Sequence, residues 1–201
     1  MHQHQLAKIN LMNRNKMETM QNQTLAVIRT RRSVKKYTDQ SVPRELVEAV
    51  VEAGMYAPSG MNRQSAIILA VTDKEMRDKL SRMNLDIILG KQLQTSSGHG
   101  DPFYGAPVVL VVLAKKACPT RVYDGSIVLE NMLLAAHSLG LGACWIHRAK
   151  EMFETEEGQQ LLRDLGITEE YEGIGHCILG YAAPDALKPQ SPRKPDYVRW
   201  V

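Results

Sequence analysis

Residues 29 to 36 read RTRRSVKK, five cations in eight residues of a chain whose formal net charge is only +3. Arginine offers a planar fork of N–H donors, lysine a point charge and serine a hydroxyl, a set suited to the oxygens of a phosphate. A solvated helix end, with cations facing the C-terminal dipole, accounts for the same residues about as well. A nucleic-acid surface accounts for them less well. Tyr37 is the one neighbouring aromatic, and a sequence pI near 8.7 is too modest for a chain that coats nucleic acid.

A second stretch, APSGMNRQ at 57 to 64, follows a proline-limited helix and precedes an apolar run. Pro58, Ser59 and Gly60 suit a tight turn, and Asn62 and Gln64 present amides able to read the edge of a planar heterocycle. A plain helix-to-strand connection is the simpler account of these residues taken alone. A third, GLGACWIH at 140 to 147, contains G-x-G but no third glycine at the dinucleotide spacing, and its order is helix, glycines, strand. The Rossmann fingerprint is therefore absent, and a glycine-capped turn explains Gly140. Cys144 and His147, and the adjacent His176 and Cys177, form no complete metal-ligand set, and no nucleophile elbow or H-E-x-x-H occurs. A chain without reactive machinery of its own is well suited to an organic cofactor that carries the chemistry.

The elements that must position these stretches follow from periodicity. A short helix from Thr24 is expected to end near Arg31, which places the cations at its exit; Pro43 is expected to open a helix with Leu46, Val47, Val50, Val51 and Met55 at helical spacing. AIILAV at 66 to 71 reads as a buried strand, 73 to 89 as a helix, and VVLVVLA at 108 to 114 as a central strand, apolar on both faces. The segment 90 to 107 reads as a loop, a lid candidate with Phe103 and Tyr104 as stacking groups. A helix over 120 to 139, apolar nearly all round in its second half, should be buried from several sides. A strand at 143 to 146, a helix around 156 to 165, a strand at 174 to 181 and a proline-rich tail complete the map. The order fits an α+β or α/β layered domain.

At 201 residues and 44% hydrophobic, the chain supports one compact domain. Residues 1 to 21 are polar and are expected to form a flexible extension, with a single domain over 22 to 201. No apolar run approaches the ~20 residues needed to cross a bilayer, and the first residues lack the apolar block of a secretory signal. A cytoplasmic protein without membrane or nucleic-acid partners is expected, with Cys118, Cys144 and Cys177 reduced.

Taken together, TRRSVKKYTDQSVP, APSGMNRQ, LGLGACWI and SPRKPDYV, in this order and at these spacings, resemble the nitroreductase family of flavin-dependent oxidoreductases over roughly residues 22 to 200. The resemblance implies an α+β fold with a central mostly antiparallel sheet flanked by helices. It also implies an intertwined homodimer with FMN at the subunit interface and a C-terminal arm, carrying Tyr197 and Trp200, around the partner. On that pattern Arg31, Arg32, Ser33 and Lys35 hold the FMN phosphate and ribityl chain, joined by Arg193 from the tail. Pro58, Ser59, Gly60, Asn62 and Gln64 approach the flavin from the partner, and the backbone at Trp145, Ile146 and His147 lies near its ring. Two positions depart from the pattern: Ser65 and Ala66 follow Gln64 where many relatives have Pro-Trp, and His147 and Arg148 stand where small or other polar residues are common, with Arg148 expected to point to solvent.

The function implied is an NAD(P)H-dependent reductase that works by a ping-pong cycle on a small electrophilic acceptor, such as a nitroaromatic or a quinone. Specialised flavin chemistry (reductive dehalogenation or flavin breakdown) and a non-catalytic FMN-binding module are the alternatives.

Overall fold

The computed structural model describes residues 22–90 and 100–201. The expected extension, and residues 91–99 of the expected lid, lie outside the described residues. Two compact units are distinguished, Met1–Arg31 and Arg32–Val201. In the first, helix α1 (Gln23–Thr30) is opened by Asn22, whose side chain accepts the N–H of Leu25 at 3.1 Å, and closed where Arg31 N–H reaches the Val27 carbonyl. The helix ends within the cationic run, with Arg29 in its last turn and Arg31 at its cap, near the end its sequence implied.

The second unit is built on a four-stranded antiparallel sheet of order β1-β2-β4-β3, with β1 at Ala66–Val71, β2 at Val108–Lys115, β3 at Gly142–Ile146 and β4 at Tyr171–Gly180. Successive side chains on a strand face opposite ways, and β2 uses both faces. Val109, Val111 and Leu113 pack with Leu80 and Met83 of α3 (Lys74–Gly90) and with Met152 and Phe153 of α5 (Ala149–Glu154). Val108, Leu110 and Val112 pack with Val47 and Val50 of α2 (Arg44–Met55) and with Leu129, Met132 and Leu133 of α4 (Arg121–Ser138). This is why 108 to 114 is apolar throughout: the strand lies in the middle of three layers.

Several expectations are corrected. β1 is half-buried rather than fully buried, because it is an edge strand with one neighbour. Helix α4 buries Val128, Leu129, Met132, Leu133 and Ala136 but leaves Val122, Tyr123 and Ile127 exposed. The six-residue α5 has no counterpart in the sequence reading, being too short to display a period, and is followed by α6 (Glu156–Asp164). Gly140 does cap α4 in the left-handed region at φ +78, with Leu141 N–H on the Ala136 carbonyl.

The segment after Arg32 is stitched to the sheet. Val34 N–H meets the Ala143 carbonyl at 3.0 Å, Thr38 N–H the Tyr181 carbonyl at 2.9 Å, and Ala183 N–H the Lys36 carbonyl at 3.0 Å. Val34 is buried against Gly142, where an added Cβ would stand 2.8 to 2.9 Å from the Val34 side chain. A β-branched residue has little freedom to yield. Gly142→Ala should therefore destabilise the protein by about 1–3 kcal/mol through overpacking. A urea titration that left the midpoint unchanged would contradict this packing account.

Candidate functional site

Within the second unit, the cationic segment runs beside β3, Ser33 pairing with Ala143 in a parallel bridge. Because Val34 turns inward, its neighbours Ser33 and Lys35 turn outward and are exposed, with Arg32 half-buried before them. Lys35 Nζ lies 5.3 Å from the centre of the Tyr104 ring, a cation–π contact that holds the ammonium near the sheet edge. Lys36, which the sequence leaves without a function, pairs with exposed Asp185 at 2.5 Å. Arg31 belongs to the first unit.

β3 leads directly from this segment to the third motif. Trp145 and His147 are exposed with Ile146 half-buried between them, and the two rings lie 5.4 Å apart. The indole lies on the sheet over Gly175, where an added Cβ would come within 2.5 Å of Nε1. Arg148 is left-handed at φ 81 and its side chain pairs with Glu151 at 3.1 Å, half-buried rather than in solvent. The first and third motifs thus form one continuous border: outward hydroxyl and cations at one end, exposed strand exit and aromatic rings at the other.

The second motif stands elsewhere. It leads into β1, at the opposite edge of the sheet from β3, three strand spacings or about 14 Å across. Its backbone is held in an uncommon form, with Met61, Asn62 and Gln64 at φ 53, 53 and 46. Left-handed non-glycine residues cost energy and persist only where their surroundings impose them. Asp124, at the start of α4, imposes them here. Its carboxylate accepts the Gly60 N–H at 3.0 Å, the Ser65 hydroxyl at 3.2 Å and the Thr120 hydroxyl at 2.9 Å. Ser59 Oγ accepts the Gln64 N–H at 2.9 Å and closes the turn from within. Pro58, Asn62 and Gln64 are consequently presented outward, beside a cavity of about 340 Å³ lined in part by Pro58, Ser59 and Gln64.

Asp124 was not singled out from the sequence; one turn from Val128 and beside Gly125, it lies on the face of α4 that is buried, which is the available signal. Arg193 lies in the exposed tail with Tyr197 and Trp200. Phe103 is not a stacking group for a ligand: it is 2% exposed, inside the core, with its ring centre 5.1 Å from that of His176.

Burial acts to raise the Asp124 pKa, but the donors from Gly60, Thr120, Ser65 and Cys118 outweigh it and hold the carboxyl below its usual value of 3.8. A folded-state pKa lower than the unfolded one stabilises the protein above about pH 4, and that contribution is lost as pH falls through the folded value. Asp124→Asn should cost about 2 kcal/mol at neutral pH, and its deficit relative to the unchanged protein should shrink below about pH 4. Parallel stability curves from pH 7 to pH 3 would refute this role.

The Nitroreductase family model matches residues 28–181. A relative from Archaeoglobus fulgidus, provisionally named an NADH dehydrogenase/NAD(P)H nitroreductase, is 34% identical over 161 residues, covering 78% of this chain and 84% of the relative. One from Methanothermobacter thermautotrophicus with the same provisional name is 35% identical over 125 residues, 60% of this chain; that alignment spans 59% of the relative's length. Among solved structures, a nitroreductase with bound FMN from Bacteroides fragilis superposes with a TM-score of 0.78 at 29% identity, covering 90% of this chain and 99% of the other.

Proposed function

The chain belongs to the nitroreductase family, and from that premise we propose that it is an FMN-dependent oxidoreductase that uses NAD(P)H to reduce small electrophilic acceptors. The observation that carries the reading is the Val34 to Ala143 hydrogen bond, which lays the cationic segment along β3 so that both open on one border. FMN needs cations and hydroxyl donors for its phosphate, and a flat surface with fixed donors for its ring. The border offers both in that order: Arg32, Ser33 and Lys35, then the strand exit at Trp145, Ile146 and His147.

FMN, when bound, supplies a two-electron carrier that NAD(P)H charges and an acceptor discharges. The chain's own residues bind and orient. Arg32, Ser33 and Lys35 would hold the phosphate and ribityl chain, and Arg193 would add a cation from the tail. Backbone N–H groups at the strand exit would stabilise negative charge on the ring, at no reorganisation cost because they are already fixed. No side-chain acid or base is assigned, consistent with a ping-pong cycle in which nicotinamide and acceptor use one ring face in turn.

The opposed position of the second motif favours a homodimer. One chain has Pro58, Ser59, Gly60, Asn62 and Gln64 across the sheet from its own cationic border, so on this reading a second copy would bring them to the ring. Met55, Tyr56, Met61, Tyr123 and Ile127 form an exposed apolar face around that motif, and Tyr197, Val198 and Trp200 are exposed on the tail. Apolar surface of that extent marks an interface. None of the described helices is long and apolar enough to cross a membrane.

The purified protein should be a yellow dimer that releases FMN on denaturation and oxidises NADH or NADPH when a quinone is supplied. Arg32→Ala combined with Lys35→Ala should weaken FMN binding about 100-fold, two charge-assisted contacts being lost. Full flavin occupancy in the double variant at micromolar protein would remove the phosphate assignment.

A further inference from the structure

We infer that Asn84 and His176, buried side chains from α3 and β4, are positioning residues that aim the peptide N–H groups of His147 and Arg148 outward to the flavin ring. The inference rests on the flavin reading above and goes beyond it by assigning the groups that orient the donors.

The geometry starts where β3 runs out. Its last ladder pair is Ile146 with His176. His176 Nδ1 lies 3.2 Å from the Ile146 carbonyl, and Asn84 Nδ2 lies 2.9 Å from the His147 carbonyl. Both side chains are fully buried, so two successive carbonyls point into the interior, whereas an extended strand would alternate them. A trans peptide is planar, with its N–H directed opposite to its C=O. The N–H groups of His147 and Arg148 therefore leave the interior together, and among the described residues neither has a backbone acceptor. Arg148 follows in the left-handed region at φ 81, ψ 5. Successive N–H groups beside such a residue form a concave donor set of the kind that receives negative charge.

The protonation state of His176 agrees with this role. A carbonyl can only accept, so Nδ1 must carry the proton. Burial pushes the imidazole pKa down to about 4, so the ring is neutral at physiological pH and Nδ1–H is its single donor. Phe103 packs on the ring, and Met152 Sδ lies 3.2 Å from Asn84 Nδ2, so neither side chain has room to turn.

Stability alone does not explain these residues. His176 Nε2 and Asn84 Oδ1 are buried with no hydrogen-bond partner among the described residues, and an unpaired buried polar atom costs free energy that leucine or methionine would not incur. Half of each side chain's hydrogen-bonding capacity is thus unused in a core where apolar residues would pack. The half in use grips the two carbonyls whose peptides carry the outward donors.

The test is the two-electron midpoint potential of FMN bound to the full-length protein, measured for the unchanged chain and for Asn84→Leu, His176→Leu and His176→Asn. Each leucine variant should shift the equilibrium about tenfold against the reduced cofactor, a potential about 30 mV more negative. His176→Asn keeps an N–H near the Nδ1 position and should stay within about threefold of the unchanged chain. The unchanged chain provides a second readout that survives poor folding of any variant. Its His147 and Arg148 amide resonances should move on FMN addition more than those of Val111 and Val112 in the buried central strand β2. Leucine variants that bind FMN at an unaltered potential would overturn the inference, as would unmoved amides at 147 and 148 in a flavin-loaded protein. Failure of the unchanged chain to bind FMN at all would instead remove the flavin reading beneath it.

Discussion

Val34 reaches β3 because residue 142 has no side chain. The close approach allows the Val34 N–H to bond the Ala143 carbonyl, and that bond extends the sheet edge by a short parallel neighbour. Once Val34 is buried, strand alternation leaves Ser33 and Lys35 no direction but outward. A local steric allowance in β3 thus sets the direction of a charged segment more than one hundred positions away in the chain. Tyr37 reinforces the anchor through its hydroxyl on the Val34 carbonyl at 2.7 Å, so the cations stand on a segment fixed at both ends.

The opposite edge is organised by a different force. A buried carboxylate is costly unless donors surround it, and Asp124 meets that condition by drawing in the Gly60 backbone and the Ser65 and Thr120 side chains. The strain at Met61, Asn62 and Gln64 is the consequence, since a loop pulled onto a fixed carboxylate cannot also relax its dihedrals. Hydrogen bonding at one edge and strain at the other both yield polar groups that face outward from rigid backbone. On the proposed reading each edge supplies half of what a flavin requires, which is why the reading of function and the reading of assembly depend on each other.

The parts of the fold legible in the sequence were those with a long enough period or a sharp stop: α2 after Pro43, the apolar β2, the Gly140 cap of α4. β1 was misjudged because an apolar hexapeptide has the same composition in a central and an edge strand, and only pairing tells them apart. α5 was missed because six residues after a left-handed Arg148 display no period. Phe103 looked like a lid residue because loop composition surrounds it; Asp101 turns that loop back by accepting the Phe103 and Gly105 N–H groups, sending the ring into the core. Of the site, the two borders were visible as motifs, while Asp124, Asn84 and His176 were not. Their roles lie in which distant carbonyl or amide they meet, and pairing between positions 84 and 147 leaves no local signature.

The rigidity of the border bears on mechanism. A side-chain donor on a surface must give up rotamer freedom, about 1–2 kcal/mol for a long polar chain, when it meets its ligand. A peptide N–H whose carbonyl is already gripped from inside has no such freedom left to lose. On the proposed reading, placing the donors in the backbone and the grips in the core would separate what touches the ligand from what holds the donors in place. Substitution at the exposed His147 or Trp145 side chains would, on the same reading, alter which acceptor fits against the ring, while the peptide planes beneath keep their direction.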